Sequence, residues 1–168
     1  QRWRLRLAEE ISDIHALSGD HVDGIRALEP LLRLRPPLQG AEAVRLRRRL
    51  GSHHHRAGQP DEAVALFAEA LRLADPERDR EEIITIHAEL GELHNLRGEH
   101  EKAESATRRG LELLEDLRKE ASGAREDFCG FMEVTLRATL GHLELRRMNL
   151  ESARSELEAA LSPGRRHG

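Results

Sequence analysis

The sequence predicts an all-α fold built from repeated helical hairpins, and three observations support this. Aromatic residues make up only 2% of the 168 residues, with no Tyr, whereas β-strands favour aromatic and β-branched side chains. Apolar residues recur at helical spacing, as at Leu46 and Leu50 or at Ala63 and Phe67. A short segment also recurs four times along the chain. No segment alternates apolar and polar residues for long, so no strands are predicted.

Glycine and proline residues divide the chain into helical segments. Proline ends a helix at Pro36-Pro37, Asp75-Pro76 and Pro163-Gly164, because it lacks a backbone donor and restricts the residue before it. Short turns are expected at Gly58 to Pro60, at Gly98 and, more weakly, at Met148-Asn149. The positions of these turns and helix ends predict one array of helical repeats over residues 1–168, with repeats at about 4–36, 41–76, 79–118 and 126–163.

A nine-residue segment that ends in a turn occurs four times. Its copies begin at Ile11, Leu50, Leu90 and Leu140, so the intervals are 39, 40 and 50 residues. Five residues after each turn residue comes a small residue, and four further on comes a larger one. Small residues let two helices approach closely, and large ones fill the space between helix pairs. The small residues are Gly24, Ala63, Ala103 and Ala153, and the larger ones are Leu28, Phe67, Thr107 and Leu157.

The second copy is the fullest: Leu50, Gly51, His54, Gly58, Ala63, Phe67, Ala70, Asp75 and Pro76. It resembles the tetratricopeptide repeat, whose signature is Trp-x2-Leu-Gly-x2-Tyr, then Ala-x3-Phe, then Pro. The first-helix Trp is absent, and the period of about 40 residues exceeds the usual 34, which suggests a long-period variant. The resemblance implies an α-solenoid of four helix-turn-helix repeats in a right-handed superhelix. It also implies a concave groove, lined by the first helix of each pair, that binds a peptide or a partner protein.

An arginine-rich stretch is the main candidate for binding. Residues 1–58 carry 11 basic and 7 acidic residues, although the whole chain has a net charge of -4. At 100° per residue, one side of the helix around Leu50 is basic and faces away from its packed side. Arginine pairs well with carboxylates, so the ligand is expected to be acidic; the alternative is a solvated arginine-rich face. The resemblance places a partner-binding groove at Arg45, Arg48, Ser52, His55 and Arg56, and at Glu92, Asn95, His142 and Arg146 in later repeats.

Other classes of site are not supported. The phosphate-loop, dinucleotide, zinc-protease and serine-hydrolase motifs are absent, so no enzymatic activity and no cofactor are predicted. His53, His54 and His55 are consecutive and cannot converge on one metal ion from a helix. His15, His54 and His94 stand where the family has Tyr, which suggests partly buried packing.

The amino-acid composition indicates the kind of partner and the cellular compartment of the protein. The acidic net charge and scarce aromatic residues argue against nucleic acid, and no apolar run reaches the length of a membrane span. The single cysteine, Cys129, suggests a reducing, cytoplasmic setting.

Two functional hypotheses remain. The first is a non-catalytic protein-interaction scaffold, the partner-binding or sensor part of a larger bacterial signalling or regulatory protein. The second is a homo-oligomerisation module whose exposed terminal repeats pair with a second copy. Its candidate contacts are Trp3, Leu5 and Leu7 at one end, and Leu157 and Leu161 at the other.

Overall fold

The computed structural model describes residues 2–161, and within that range the chain is all-α, as the sequence predicts. The helices form hairpins, and a short 3-10 helix, Glu29–Arg33, follows the second helix. Pro163, the predicted end of the fourth repeat, lies outside the described residues. The α-helices are α1 Arg2–Ser18, α2 His21–Leu28, α3 Gly40–Arg56, α4 Pro60–Leu73, α5 Arg80–Leu96, α6 His100–Arg118, α7 Ala124–Arg146 and α8 Leu150–Ala160.

The chain divides into two compact units, Gln1–Glu82 and Ile83–Gly168, here called unit 1 and unit 2. Each has its own apolar core, formed by buried leucine, isoleucine and alanine side chains of neighbouring helices. Cys129 is buried in the core of unit 2 and is a packing residue there. The unit 1 core contains Leu5, Ala8, Leu28, Leu31, Leu46 and Leu50, and the unit 2 core contains Ile84, Ala88, Leu114, Leu117, Cys129, Met132 and Leu136.

The four hairpin turns share one backbone geometry. In each, a backbone N–H just after the turn donates to a carbonyl oxygen five residues earlier, at 2.9 Å. This bond closes the first helix, and it requires a left-handed residue at the turn. Glycine occupies that position three times, and Met148 occupies it in the fourth turn with φ of 59°. The donor and acceptor pairs are Asp20 and His15, Gln59 and His54, Glu99 and His94, and Asn149 and Glu144.

Glycines in the first helices allow the two helices of a hairpin to touch. A Cβ at Gly51 would lie 2.5 Å from Cε1 of Phe67, and one at Gly141 would lie 2.7 Å from Cγ of Leu157. A Cβ at Gly91 would lie 2.2 Å from Oγ1 of Thr107. The larger residues Phe67, Thr107 and Leu157 are therefore contact points within their hairpins. The small residue Gly24 instead lies against His53 of the next hairpin.

Met148 is expected to strain the fourth turn, because left-handed backbone costs a non-glycine residue about 1–2 kcal/mol. The side chain of Met148 is exposed, so removing this side chain loses few packing contacts. We expect Met148→Gly to raise the free energy of unfolding by about 1 kcal/mol, measured by urea denaturation. Met148→Ala is the matched control, since it shortens the side chain without relieving the backbone. A gain as large in Met148→Ala would contradict this explanation.

Candidate functional site

A cavity of about 150 Å³ opens in unit 1 between α1, α2 and α3. Its wall is mostly polar, with three guanidinium groups and a single carboxylate. Of the predicted binding residues, Arg48, Ser52 and Arg56 line this cavity, whereas Arg45 and His55 lie on the same helix outside it. The lining residues are Ser12, Asp13 and Ala16 of α1, His21 of α2, and Arg48, Arg49, Ser52, His53 and Arg56 of α3.

Carboxylates of unit 1 hold several of the α3 arginines. Arg45 Nε donates to Glu9 Oε1 at 2.6 Å, and this bond raises the pKa of Arg45. Arg48 pairs with Glu82, and both side chains are largely buried. Arg49 pairs with Asp13 through both terminal nitrogens. The arginines are therefore already oriented by acidic side chains, and an acidic partner would have to compete with those carboxylates.

Arg56 differs from these arginines. It lies in the last turn of α3, where a cation interacts favourably with the helix dipole. Its side chain is exposed, and it has no ion-pair partner within residues 2–161. Arg56 is thus the cavity arginine whose charge is most available to a ligand.

A chain of hydrogen bonds runs behind the cavity. His53 Nε2 lies 2.8 Å from Ser12 Oγ, and His53 Nδ1 lies 3.3 Å from Nδ1 of His21. His53 is 3% exposed, and a Cβ at Gly24 would lie 2.3 Å from its ring. This burial, together with nearby positive charge, lowers the pKa of His53 from 6.5 to about 4. His53 is therefore neutral at pH 7 and ties α3 to α1 and α2.

The histidines of the turns take a different role. His54 Nδ1 lies 2.7 Å from Gln59 Oε1, and His94 Nδ1 lies 2.6 Å from Glu99 Oε2. Each bond joins the end of the first helix to the residue that follows the turn. Both histidines are half-buried, which fits the expected packing in place of the family's Tyr.

The predicted binding residues of unit 2 differ in their exposure to solvent. His142 and Arg146 are exposed on α7, and Glu92 is half-buried on α5. Asn95 is 7% exposed, so little of its side chain is accessible to a partner. Asn95 lies seven residues after Ala88 on the same face of α5, and Ala88 packs in the core of unit 2.

Unit 2 has a second cavity, of about 270 Å³, lined by residues of α6 and α7. Leu111 and Leu114 contribute apolar surface, and the buried Glu133 lies at its wall. Glu133 Oε1 accepts from Arg137 Nε at 2.9 Å, and Oε2 lies 2.8 Å from Arg118 Nη2. Burial favours the neutral acid, but these two arginines outweigh it, so the pKa of Glu133 is lowered. The cluster links α6 to α7.

Sequence reasoning missed His53 and His21 as cavity residues. The repeats contained a usable signal, because His53 aligns with Leu93 and Leu143, which are both buried. A histidine at an apolar position of the repeat is expected to be buried and hydrogen-bonded. His21 carried no such signal, since only the fold brings it to His53.

Residues 42–116 match the family model of the tetratricopeptide repeat. This segment belongs to the tetratricopeptide repeat family. It holds the contacts of Gly51 with Phe67 and of Gly91 with Thr107, so these two tetratricopeptide hairpins show the family's small-to-large packing. Tetratricopeptide repeats form a non-catalytic scaffold that generally mediates protein–protein interaction. No curated protein sequence matches the chain significantly.

Between Arg2 and Leu161, no helix is both long enough and apolar enough to cross a bilayer. In the same range, no three His, Cys, Asp or Glu side chains are grouped so that they could hold a metal ion.

Proposed function

We propose that the chain is a non-catalytic protein-interaction module that binds an acidic peptide or helix at the cavity of unit 1. The observation that supports this most is the charge around the cavity, where three arginines of α3 meet two carboxylates. Asp13 pairs with Arg49 and Glu82 pairs with Arg48, so Arg56 is the excess cation. The predicted sensor role in a larger bacterial regulatory protein is part of this proposal. His142 and Arg146 are proposed as further contacts for the same partner.

Arg56 would make the first contact with an acidic partner. Its guanidinium is exposed and carries no intramolecular ion pair in residues 2–161, so an incoming carboxylate displaces no other group from it. Arg49 then offers a second site, because its partner Asp13 is largely exposed and can be exchanged at small cost. Guanidinium groups bind carboxylates in a two-pronged geometry, which gives orientation as well as affinity.

The test is binding of peptides that differ only in charge. We expect a peptide with several Glu residues to bind the wild-type chain, and matched Gln and Lys peptides not to bind measurably. Arg56→Glu should weaken binding of the acidic peptide at least tenfold, because it removes the available cation and adds a repelling carboxylate. Arg72→Glu is the matched control, since Arg72 is also an exposed helical arginine of unit 1. Equal losses in the two variants would reject the cavity as the binding site.

One observation favours self-association as a second function. Trp3, Leu7, Ile11 and Ile14 recur at helical spacing on α1, and all four are exposed. Leu7 and Ile14 align with Leu46 and His53 of the next repeat, which are buried in unit 1. The α1 stripe therefore has the surface that a neighbouring hairpin covers elsewhere. Leu5 is buried in the unit 1 core, so its prediction as an exposed contact is wrong. Leu157 is half-buried and packs on Gly141.

Sedimentation at several concentrations tests this second function. We expect the wild-type chain to form a dimer as its concentration rises, and Leu7→Glu with Ile14→Glu to stay monomeric. Leu96→Glu is the control, because Leu96 is also exposed but lies on α5 and is not among the predicted contacts. A wild-type chain that remains monomeric at all concentrations would exclude self-association.

A further inference from the structure

We infer that the cavity of unit 1 receives a phosphorylated side chain of the partner, with Arg48, Arg49 and Arg56 as its cationic wall. This inference rests on the proposed function and names the chemical group that the same cavity selects.

The first argument is the balance of charge and donors. Three guanidinium groups and the imidazole of His21 line the cavity. Glu82 pairs with Arg48 and Asp13 pairs with Arg49, so the charge of Arg56 is the one that these carboxylates leave unbalanced. A carboxylate offers one charge and two oxygens. A phosphate monoester carries about 1.5 to 2 negative charges near neutral pH and three acceptor oxygens, so it matches this wall better.

The second argument is an unused donor. Arg49 Nε is buried and has no hydrogen-bond partner within residues 2–161, although the terminal nitrogens of Arg49 bind Asp13. Leaving a charged donor buried and unpaired is costly. A phosphate that exchanges with Asp13 on Arg49 brings three acceptor oxygens, so it can serve Nε as well as the terminal nitrogens.

The third argument is size. The cavity of about 150 Å³ is well below the roughly 300–1,000 Å³ that encloses a drug-sized molecule. It can hold one phosphorylated side-chain head, but it is too small for a whole nucleotide. The rest of the partner must then lie outside the cavity, along the exposed surfaces of α1 and α3.

The experiment compares three peptides with identical neutral flanks and a central Ser, Glu or phosphoserine, using calorimetry on the full chain. We expect the phosphoserine peptide to bind at least tenfold more tightly than the Glu peptide, and the Ser peptide not to bind. Arg56→Glu should weaken binding of the phosphoserine peptide at least tenfold, whereas Arg72→Glu should change it less than twofold. Asp13→Asn should strengthen it, because it removes the opposing carboxylate.

The outcomes separate this inference from the proposed function. Equal affinity for the Glu and phosphoserine peptides would overturn the phosphate inference and leave the acidic-partner proposal intact. Binding of neither peptide would overturn both. Inorganic phosphate is the further probe, and if it binds as tightly as the phosphoserine peptide, the ligand is free phosphate and the inference of a phosphorylated partner is wrong. Circular dichroism of each variant confirms that a loss of binding is not a loss of fold.

Discussion

Phe67→Ala is expected to lower the free energy of unfolding by about 3–5 kcal/mol. The ring of Phe67 is fully buried, and its edge lies where a Cβ of Gly51 would be, so it fills the contact between α3 and α4. Gly51 has no side chain that could fill the space left by the ring, so the substitution leaves a cavity between the two helices. Urea denaturation followed by far-UV circular dichroism measures the loss.

Two variants control this prediction. Phe131→Ala makes the same change at a residue of α7 that is 69% exposed, and we expect it to cost less than about 0.5 kcal/mol. Phe67→Leu should cost less than Phe67→Ala, since Leu28 and Leu157 fill the equivalent place in other repeats. A loss at Phe131 equal to that at Phe67 would mean that burial against Gly51 does not determine the effect.

Stability of unit 1 is expected to fall as the pH drops from about 6.5 toward 4. The folded pKa of His53, about 4, is below its unfolded value of 6.5, so the unfolded chain binds more protons in this range. A depressed pKa therefore contributes stability that is present above pH 6.5 and is lost as the pH falls. The shift corresponds to at most about 3 kcal/mol. Charged or titratable groups near His53 are His21, His15, Arg49 and Asp13.

The variant His53→Leu with Ser12→Ala isolates this effect. Leucine occupies the equivalent position at Leu93 and Leu143, and removing the Ser12 hydroxyl avoids leaving it buried without a partner. We expect the double variant to lose less stability between pH 6.5 and pH 4 than the wild type. The other histidines are common to both proteins, so the difference between the two pH profiles reports His53. Identical profiles would contradict the assignment.

The fold could be predicted from the sequence because its determinants are local and occur repeatedly. Gly19, Gly58 and Gly98 mark three turns, and the aligned copies supply the fourth at Met148, where no glycine stands. The small residue of each hairpin and its large partner are separated by a fixed number of residues, so one copy predicts the others. Because the pattern occurs four times, it predicts the repeat fold even though the family's Trp is missing and the period is longer than usual.

The candidate site could be predicted only in part. Helical spacing placed Arg48, Ser52 and Arg56 on one side of α3, and the structure places all three at the cavity. Spacing within one helix cannot reveal which acids from other helices hold these arginines, as Glu82 holds Arg48. For the same reason it could not show that His53 bonds to Ser12, which is 41 residues earlier.

The most direct test of the proposed site is a map of where an acidic peptide contacts the chain. Backbone NMR shifts of the labelled full chain, followed during titration with the Glu-rich peptide, provide that map. We expect the largest shifts in residues 12–21 and 48–56, which surround the cavity, and small shifts in residues 100–118 of α6. Shifts concentrated elsewhere, with these two segments unchanged, would contradict the cavity of unit 1 as the partner-binding site.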